Sequence, residues 1–306
     1  MPGPAVTIPA MPPSSLHAPL LDWYADAARD LPWGAAGAGP WSVLVSEFML
    51  QQTPVTRVLP VHAAWLQRWP APADLAADAP GEAVRAWGRL GYPRRALRLH
   101  QAATAIADQH GGAVPSSYEA LLALPGVGAY TAAAVAAFAF DQRHAVLDTN
   151  VRRVLTRVTT GREHPGASVT VTERRAAEAL LPDDPPVAAR WSVAVMELGA
   201  LVCTARAPRC DACPLVAQCA WNRAGRPTGT VRPRVQAYAG TDRQVRGRLL
   251  AVLRENDDPV PAAELAAVWG DAEQRDRALA GLVADGLAER ASGDRYGLPG
   301  RRTPVR

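Results

Sequence analysis

The chain has 306 residues, 48% of them hydrophobic, which is enough for one to three small domains with apolar cores. Its formal net charge of +4 favours a polyanionic partner. The sequence has no run of about 18 apolar residues, so no membrane-spanning helix is expected. Every residue of the Lys/Arg class is arginine. Chemistry through the Schiff base of a lysine side chain is therefore excluded.

The pattern of apolar residues predicts a mainly helical chain. Residues 1–15 are Pro-rich and lack periodicity, so a disordered tail is expected there. Apolar residues then recur at helical spacing between short Pro/Gly breaks, and they predict an all-α domain over 16–222. Residues 223–241 are rich in Pro, Gly and Arg and are interpreted as a basic linker.

A small C-terminal module is predicted over 242–300, with a tail over 301–306. Its elements are three helices, over 243–255, 261–268 and 272–285, and a hairpin over 287–298. This order is typical of a winged helix.

The charge of this module leaves its partner open. The segment Gln236–Arg306 contains 11 arginines and 11 acidic residues, so its net charge is zero. Recognition helices usually carry a basic surface, although Arg275 and Arg277 could still reach phosphate. Contact with DNA and contact with a protein are equally supported by this composition.

A tight helical hairpin is predicted at Leu124-Pro125-Gly126-Val127-Gly128. Glycine permits left-handed backbone conformations and lets a ligand approach the main chain closely. The helix that follows begins with free N–H groups, which suit a phosphate. A turn without any ligand is the alternative interpretation of this short motif.

All four cysteines of the chain, Cys203, Cys210, Cys213 and Cys219, lie within 17 residues, so they should meet at one place. Disulfides are disfavoured because a chain of this size does not need them. A zinc site is possible, but zinc ribbons usually have two close cysteine pairs and this chain has one. The spacing favours an iron–sulfur cluster over zinc.

Together these motifs resemble the helix-hairpin-helix DNA glycosylases that carry a 4Fe–4S cluster. The resemblance rests on the hairpin, on Asp148 about twenty residues later, and on the cysteine loop. The runs Ser46–Thr53, Leu31–Trp33 and Leu90–Tyr92 are similar to the MutY-type adenine glycosylases within that group. The similarity extends over residues 20–222 and implies a two-lobed all-α fold with an iron–sulfur loop.

The resemblance also assigns catalytic roles. Glu47 is flanked by apolar residues at helical neighbour positions, where burial favours the protonated acid; the resemblance makes it the acid that protonates adenine. Asp148 precedes a helix and could be an ordinary N-cap, but the resemblance has its carboxylate stabilise the oxocarbenium ion. Tyr130 stands where lyase relatives have lysine, and the resemblance places it close to the reacting sugar.

The implied partner is double-stranded DNA with a mismatched adenine. Extrusion of a base leaves a gap that an amide or an aromatic ring can fill, and Gln52 and Tyr92 are the candidates. The DNA-binding residues expected are Gln51, Gln52, Tyr92, Gly126, Gly128, Asn150 and Arg152.

The resemblance thus implies a monofunctional enzyme of base excision repair that removes adenine opposite 8-oxoguanine or guanine. A monomer without membrane attachment is expected, in a bacterial cytoplasm and associated with the nucleoid. The chain departs from the familiar MutY pattern because no pyrophosphohydrolase-like domain follows residue 222. A thymine or uracil mismatch glycosylase and a non-catalytic iron–sulfur DNA-binding protein are the alternatives.

Overall fold

A computed structural model describes residues 12–35, 37–229 and 238–300 of the chain. Most of the two expected tails lies outside these ranges, and so do residues 230–237 of the expected linker. Residues before 224 form the helices α1 (Ser14–Ala27), α2 (Pro40–Leu50), α3 (Val55–Arg68), α4 (Pro72–Ala77), α5 (Pro80–Trp87), α6 (Arg94–Gln109), α7 (Tyr118–Ala123), α8 (Ala129–Phe140), α9 (Thr149–Thr160), α10 (Val171–Leu180), α11 (Pro185–Leu201) and α12 (Ala220–Arg223).

The C-terminal module contains three helices and three short strands. These are α13 (Asp242–Glu255), β1 (Val260–Pro261), α14 (Ala262–Ala266), α15 (Ala272–Ala284), β2 (Glu289–Ala291) and β3 (Arg295–Gly297). The strands form an antiparallel sheet in the order β1-β3-β2, with Arg290 opposite Tyr296 in the hairpin. The predicted mainly helical fold with a terminal helical and hairpin module is therefore confirmed. The structure adds the strand β1, which the sequence did not predict because β1 has only two residues.

Contacts divide the chain into two compact units. One unit comprises residues 1–43, 116–119 and 128–233, and the other comprises 44–115, 120–127 and 234–306. The C-terminal module thus shares a unit with the helices α3 to α6, although the sequence predicted it as a separate body.

The core of the first unit is built around α9 and α11. Leu16 and Leu20 of α1 pack with Trp191 and Leu198 of α11, while the apolar side of α9 completes the cluster. Cys219 belongs to this core and the three other cysteines pack against it. The cysteine loop is therefore fixed to the helix that follows Asp148.

The second unit has an aromatic centre. The ring of Trp65 on α3 meets those of Trp69 and Trp87 edge-on, at centroid distances of 4.6 and 5.7 Å. Trp65 and Trp87 are fully buried, and burial of such large rings is a major stabilising contribution. Trp87 is the last residue of α5, so this cluster fixes the start of the segment that leads to Tyr92.

The C-terminal module packs directly on α5. Arg254 at the end of α13 donates a 2.9 Å hydrogen bond to the carbonyl of Val84, and Arg85 donates in return to the carbonyl of Arg254. Burial lowers the pKa of Arg254 to about 10. The N–H of Gly81 donates to the carbonyl of Pro299 at 2.8 Å. Both partners supply donors to these hydrogen bonds, which hold the C-terminal module against α5.

Among the described residues, no helix combines the length and the apolar character that crossing a membrane requires.

Candidate active site and cysteine loop

Glu47 lies in α2 with only 4% of its surface exposed. Its helix neighbours Leu44, Phe48 and Met49 are at most 1% exposed, so Glu47 lies in a buried part of α2. The sequence predicted this burial from the apolar residues around it.

The turn after α2 and the turn before α6 carry the residues expected to enter the duplex. Gln52 and Tyr92 both have left-handed backbones, with φ of 57° and 48°, which non-glycine residues rarely adopt. Gln52 is exposed and half of the Tyr92 surface is exposed. Each side chain is therefore presented to solvent at the tip of a tight turn.

Arg95 joins these two turns. Its Nη1 donates to the carbonyl oxygens of Phe48, Met49 and Gln51, at 2.9, 3.2 and 2.6 Å. Its Nη2 donates to Thr53 Oγ1 and to the carbonyl of Gly91, at 3.1 Å each. Burial lowers the pKa of Arg95 to about 10, a value at which the guanidinium still carries its charge at neutral pH.

The helical hairpin is present, and its two glycines differ. Gly126 has φ of +79°, and a Cβ there would lie 2.6 Å from Cβ of Arg98 and 3.1 Å from the Phe48 ring. Gly128 has an ordinary negative φ as the N-cap of α8, and a Cβ there would meet nothing within 4 Å. Gly126 is thus required by packing and conformation, whereas Gly128 leaves open space at the start of a helix.

Asp148 is the N-cap of α9, which was one of the two interpretations of this residue in the sequence. Its Oδ1 accepts a 2.6 Å hydrogen bond from the N–H of Val151, and its Oδ2 accepts one of 2.9 Å from the side-chain amide of Asn150. Burial nevertheless raises the pKa of Asp148, since it outweighs the hydrogen bonds that favour the charged form.

A chain of hydrogen bonds leads from Asp148 to the cysteine loop. The guanidinium of Arg153 donates to the Asn150 amide oxygen at 2.8 Å, to the carbonyl of Gly199 at 2.7 Å and to the carbonyl of Cys203 at 2.8 Å. Gly199 leaves no room here, because a Cβ would lie 2.7 Å from Cβ of Asn150. Asn150 therefore has a clear structural function between Asp148 and Arg153.

The DNA contact expected of Arg152 is not supported by its surroundings. Its guanidinium is ion-paired with Glu173, with Nε 2.6 Å from the carboxylate, and it also donates to the carbonyls of Gly166 and Ser168. Only 9% of the side chain is exposed. Because its donors are used inside the protein, Arg152 anchors the segment 166–173 to α9 instead of facing outward.

Tyr130 lies in the first turn of α8 and is half-buried. It packs against a small apolar cluster that includes Ala133, Ala134 and Val146. The sequence offered packing as one interpretation and proximity to a sugar as the other. The structure shows the packing, and the second role stays a prediction.

The four cysteines line one apolar cavity. Its walls are formed by the cysteines together with side chains of α9, α11 and the loop itself, namely Val154, Val158, Leu198, Val202, Pro208, Arg209, Val216, Trp221 and Asn222. All four thiols are free. Burial, reinforced by the nearness of the other three cysteines, raises the pKa of Cys213 to about 11. Disulfides between them are therefore not the arrangement of this structure.

Arg157 fixes the wall of this cavity. It is 1% exposed, its guanidinium lies 4.5 Å from the centre of the Trp221 ring, and its Nη1 donates to Sγ of Cys203 at 3.3 Å and to the carbonyl of Thr204 at 2.8 Å. A buried cation next to thiol sulfur would stabilise the thiolate form that a metal requires.

The donor set fits an iron–sulfur cluster. Over the described residues, no group of three or more His, Cys, Asp or Glu side chains is arranged around a single metal ion. In a cubane cluster each thiolate binds a different iron, so the four sulfur atoms surround a volume and do not converge on one point. Four free thiols around one apolar cavity match that requirement.

The two arginines of the C-terminal module that could have reached phosphate, Arg275 and Arg277, form ion pairs within the module. Arg277 is paired with Asp242 at 3.0 Å and lowers the pKa of that carboxyl to about 2. Arg275 donates to the carbonyl of Ala266 and pairs with Asp276. This arrangement agrees with the net-zero charge of the module and gives α15 no free basic face.

Sequence reasoning missed Arg95, Arg153 and Arg157. A signal was available for the last two, because arginines that interrupt an apolar helical pattern, as α9 has, are either on the opposite face or buried and bonded. Nothing local indicated the partners of Arg95 at the end of α2, the carbonyls of Phe48 and Gln51, which lie more than forty positions earlier.

The fold and these sites define a helix-hairpin-helix protein of base excision repair. Residues 45–180 match the family model described as "HhH-GPD superfamily base excision DNA repair protein". A solved thermostable thymine-DNA glycosylase is similar with a TM-score of 0.62 and 25% identity, over 69% of this chain and 97% of that one. A trapped endonuclease III–DNA intermediate, at 22% identity and a TM-score of 0.59 over 71% of this chain and 100% of that one, shows the same fold.

Sequence relatives narrow the family. The adenine DNA glycosylase of Mycolicibacterium smegmatis is 55% identical over 282 residues, or 92% of this chain and 95% of the relative. That of Homo sapiens is 40% identical over 208 residues, or 65% of this chain and 38% of the relative. The chain belongs to the MutY-type adenine DNA glycosylases. The bacterial match is longer than the segment 16–222, so it includes residues of the C-terminal module.

Proposed function

We propose that this enzyme removes adenine from duplex DNA where the base stands opposite 8-oxoguanine or guanine, and that it leaves the strand uncut. The observation that carries this proposal is the buried carboxyl of Glu47 on α2. A purine offers a basic ring nitrogen, N7, to such an acid. Thymine and uracil have no equivalent nitrogen, so the same acid would have no comparable target on them.

The reaction requires the base to leave as a neutral molecule. Glu47 donates its proton to N7 of adenine while the bond between N9 of the base and C1′ of the sugar breaks, and the bonding electrons go to the base. The sugar is left with positive charge shared between C1′ and its ring oxygen. Water then adds to C1′, and a proton of the water goes to the Glu47 carboxylate, which restores the acid.

Asp148 supplies the opposing negative charge. An ionised carboxylate beside the sugar stabilises the oxocarbenium ion through space, and burial strengthens this interaction. Two hydrogen bonds to its oxygens fix its orientation before substrate binds. The raised pKa of Asp148 is the cost of this placement, because the charge is held where water solvates it poorly.

The proposed enzyme has no lyase step. A lyase of this fold forms a covalent imine with a lysine amine, and the chain contains no lysine. The N-terminal amine is the only primary amine it has. Tyr130 is proposed to contact the sugar and to carry no nucleophilic role.

Cys203, Cys210, Cys213 and Cys219 are proposed to hold a 4Fe–4S cluster. The cluster would cross-link the loop and takes no part in breaking the glycosidic bond. The bonds from Arg153 and Arg157 to Cys203 and its neighbour then fix the loop against α9. The protein is proposed to act as a monomer on DNA in the bacterial cytoplasm.

A thymine mismatch glycosylase is the second candidate, because the thymine-DNA glycosylase of Aeropyrum pernix is 35% identical over 66% of this chain and 91% of that relative. Single-turnover assays on duplexes with A opposite 8-oxoguanine, A opposite G, T opposite G and U opposite G separate the two. We expect release of adenine from the first two only. Release of thymine or uracil at a comparable rate would contradict the proposal.

The same reactions test the absence of lyase activity. Freshly reacted strands should be cut only after alkali, and borohydride should trap little covalent adduct. Strand breaks without alkali, in amounts equal to base release, would show a lyase. A duplex with A opposite T is the matched control for specificity.

A further inference from the structure

We propose that Arg95 is a positioning residue that sets the two turns through which the protein enters the duplex. This inference rests on the proposed function, in which Gln52 and Tyr92 fill the gap left by an extruded adenine. Arg95 itself is half-buried and need not touch DNA. Its action is to hold the backbones of both turns in one fixed arrangement before DNA binds.

The first turn is bound through its main chain. Helix α2 ends at Leu50, and its last carbonyl groups have no partner within the helix. Nη1 of Arg95 supplies a partner by donating to the carbonyls of Phe48, Met49 and Gln51. The guanidinium thus caps the C-terminus of α2 and stabilises its dipole. The residue that follows the last of these carbonyls is Gln52.

The second turn is bound by the same side chain. Nη2 of Arg95 donates to the carbonyl of Gly91, and its guanidinium lies 5.3 Å from the centre of the Tyr92 ring. Trp87 completes the arrangement: its ring lies 5.4 Å from the guanidinium and its Nε1 donates to the same carbonyl of Gly91 at 3.0 Å. The position of the Tyr92 ring is therefore stabilised by a cation that lies over the ring.

Thr53 connects the two turns at a second point. Its hydroxyl lies within hydrogen-bond distance of the carbonyls of Gln51 and Leu90, at 3.3 and 3.2 Å, and it accepts from Arg95. Arg95 and Thr53 together bond the main-chain carbonyls that directly precede both candidate residues, those of Gln51 and Gly91. A left-handed backbone at Gln52 and at Tyr92 persists only where the surroundings enforce it.

The bonding pattern distinguishes positioning from plain core packing. Nε of Arg95 is buried and has no hydrogen-bond partner within the described part of the chain, so this site is costly for a guanidinium. The Nη donors are all directed at the C-terminal carbonyls of α2 and at the two turns. The guanidinium is thus held where it binds the end of α2 and both turns together.

The test separates loop shape from stability. The variants are Arg95→Gln and the more conservative Arg95→Lys, with Arg94→Gln as the matched control, since the adjacent Arg94 side chain is 61% exposed and pairs with Asp285. Each is measured for thermal stability, for affinity to undamaged duplex, and for the fluorescence of 2-aminopurine placed beside a tetrahydrofuran abasic analogue. The fluorescence reports entry into the stack and does not depend on which base the enzyme removes.

We expect wild type and Arg94→Gln to raise this fluorescence. Arg95→Gln should lose most of the rise and release adenine more slowly by on the order of 100-fold, because a small misplacement of a group is enough for that loss. Arg95→Lys should restore part of the rise, as it keeps the charge but cannot bridge both turns.

A double-mutant cycle with Tyr92→Ala decides whether Arg95→Gln acts by misplacing the turns or by lowering the stability of the fold. If Arg95 acts by positioning Tyr92, Arg95→Gln should have a much smaller effect on the rate in the Tyr92→Ala background. The proposal is overturned if Arg95→Gln slows adenine release by the same factor with Tyr92 and with Tyr92→Ala, and also lowers the melting temperature. A wild-type protein that raises the fluorescence but releases no adenine would refute the proposed substrate and leave the role of Arg95 intact.

Discussion

Arg153 connects Asn150 to Cys203: one guanidinium donates to the amide oxygen of the first and to the carbonyl of the second. Because Asn150 in turn donates to Asp148, the orientation of the proposed catalytic carboxylate depends on the position of the cysteine loop. The chain is short, with each bond at 2.9 Å or less. Loop and carboxylate are thereby parts of one bonded unit.

Replacement of Arg153 should therefore affect two properties together. Arg153→Leu removes the donors to Asn150, Gly199 and Cys203 and leaves buried carbonyls unsatisfied, at about 1–3 kcal/mol for each group. We expect lower iron content per chain and slower adenine release, measured on the same preparation. Arg175→Leu, at an exposed position of α10, is the control. Full activity in iron-replete Arg153→Leu would show that the chain of bonds is dispensable.

The acid role of Glu47 has its own test. Glu47→Gln keeps the shape and removes the proton, so single-turnover release of adenine should fall on the order of 100- to 10,000-fold while affinity for the duplex is retained. Glu119→Gln, at a carboxyl group outside the proposed site, should leave both unchanged. A near-wild-type rate for Glu47→Gln would assign the acid to another residue.

Asp148 should show its raised pKa in stability. The folded protein keeps the Asp148 proton to a higher pH than the unfolded chain, whose aspartates titrate at about 3.9. From that pH up to the raised pKa the native state binds more protons, so the Asp148 contribution to stability falls as pH rises and is least favourable at neutral pH. Asp148→Asn lacks this titration.

The expected result is a difference that depends on pH. The melting temperature of Asp148→Asn minus that of wild type should become more positive from about pH 4 to pH 7, while base release stays very low because the stabilising charge is gone. Asp184→Asn, which changes an exposed N-cap on α11 of the same type, is the control. A difference that becomes more negative toward neutral pH would contradict the assigned shift.

The cysteine loop should reveal its ligand on purification. Four thiolates in this spacing predict a yellow-brown protein with about four irons per chain. Cys213→Ser should lose iron and order in the loop, with loss of DNA affinity as the consequence. Metal analysis after anaerobic purification is the measurement. A colourless protein with stoichiometric zinc would replace the iron–sulfur assignment by the alternative that the spacing left open.

Local patterns were enough to predict much of this structure. The helix over 243–255 follows from periodicity and is found within one residue, and the hairpin over 287–298 follows from its turn residues and contains β2 and β3. The cap at Asp148 and the burial of Glu47 were also visible in the sequence. Each of these features depends on residues within about one or two helical turns.

The long-range features could not be predicted in this way. The contacts of Arg254 with Val84 join residues 170 positions apart, and no pattern near either one indicates the other. The same holds for Arg95 and the carbonyls of Phe48, Met49 and Gln51. A main-chain acceptor is present at every residue, so the sequence does not distinguish the ones that an arginine will find.

The last prediction concerns the fit of the C-terminal module on α5. Gly81 is in contact with the end of this module: a Cβ added there would lie 2.6 Å from the carbonyl oxygen of Pro299 and 2.9 Å from Cβ of Leu298. Both the N–H bond to Pro299 and the space it needs would be disturbed by Gly81→Ala. Overpacking of this kind costs about 1–3 kcal/mol.

We therefore expect Gly81→Ala to lower the melting temperature and to make residues near Pro299 accessible to protease. Gly270→Ala, where a Cβ would meet nothing within 4 Å, is the matched control and should change neither. Unaltered stability and unaltered protease resistance in Gly81→Ala would show that the module is only tethered, and truncation after residue 235 would then leave the remaining domain folded.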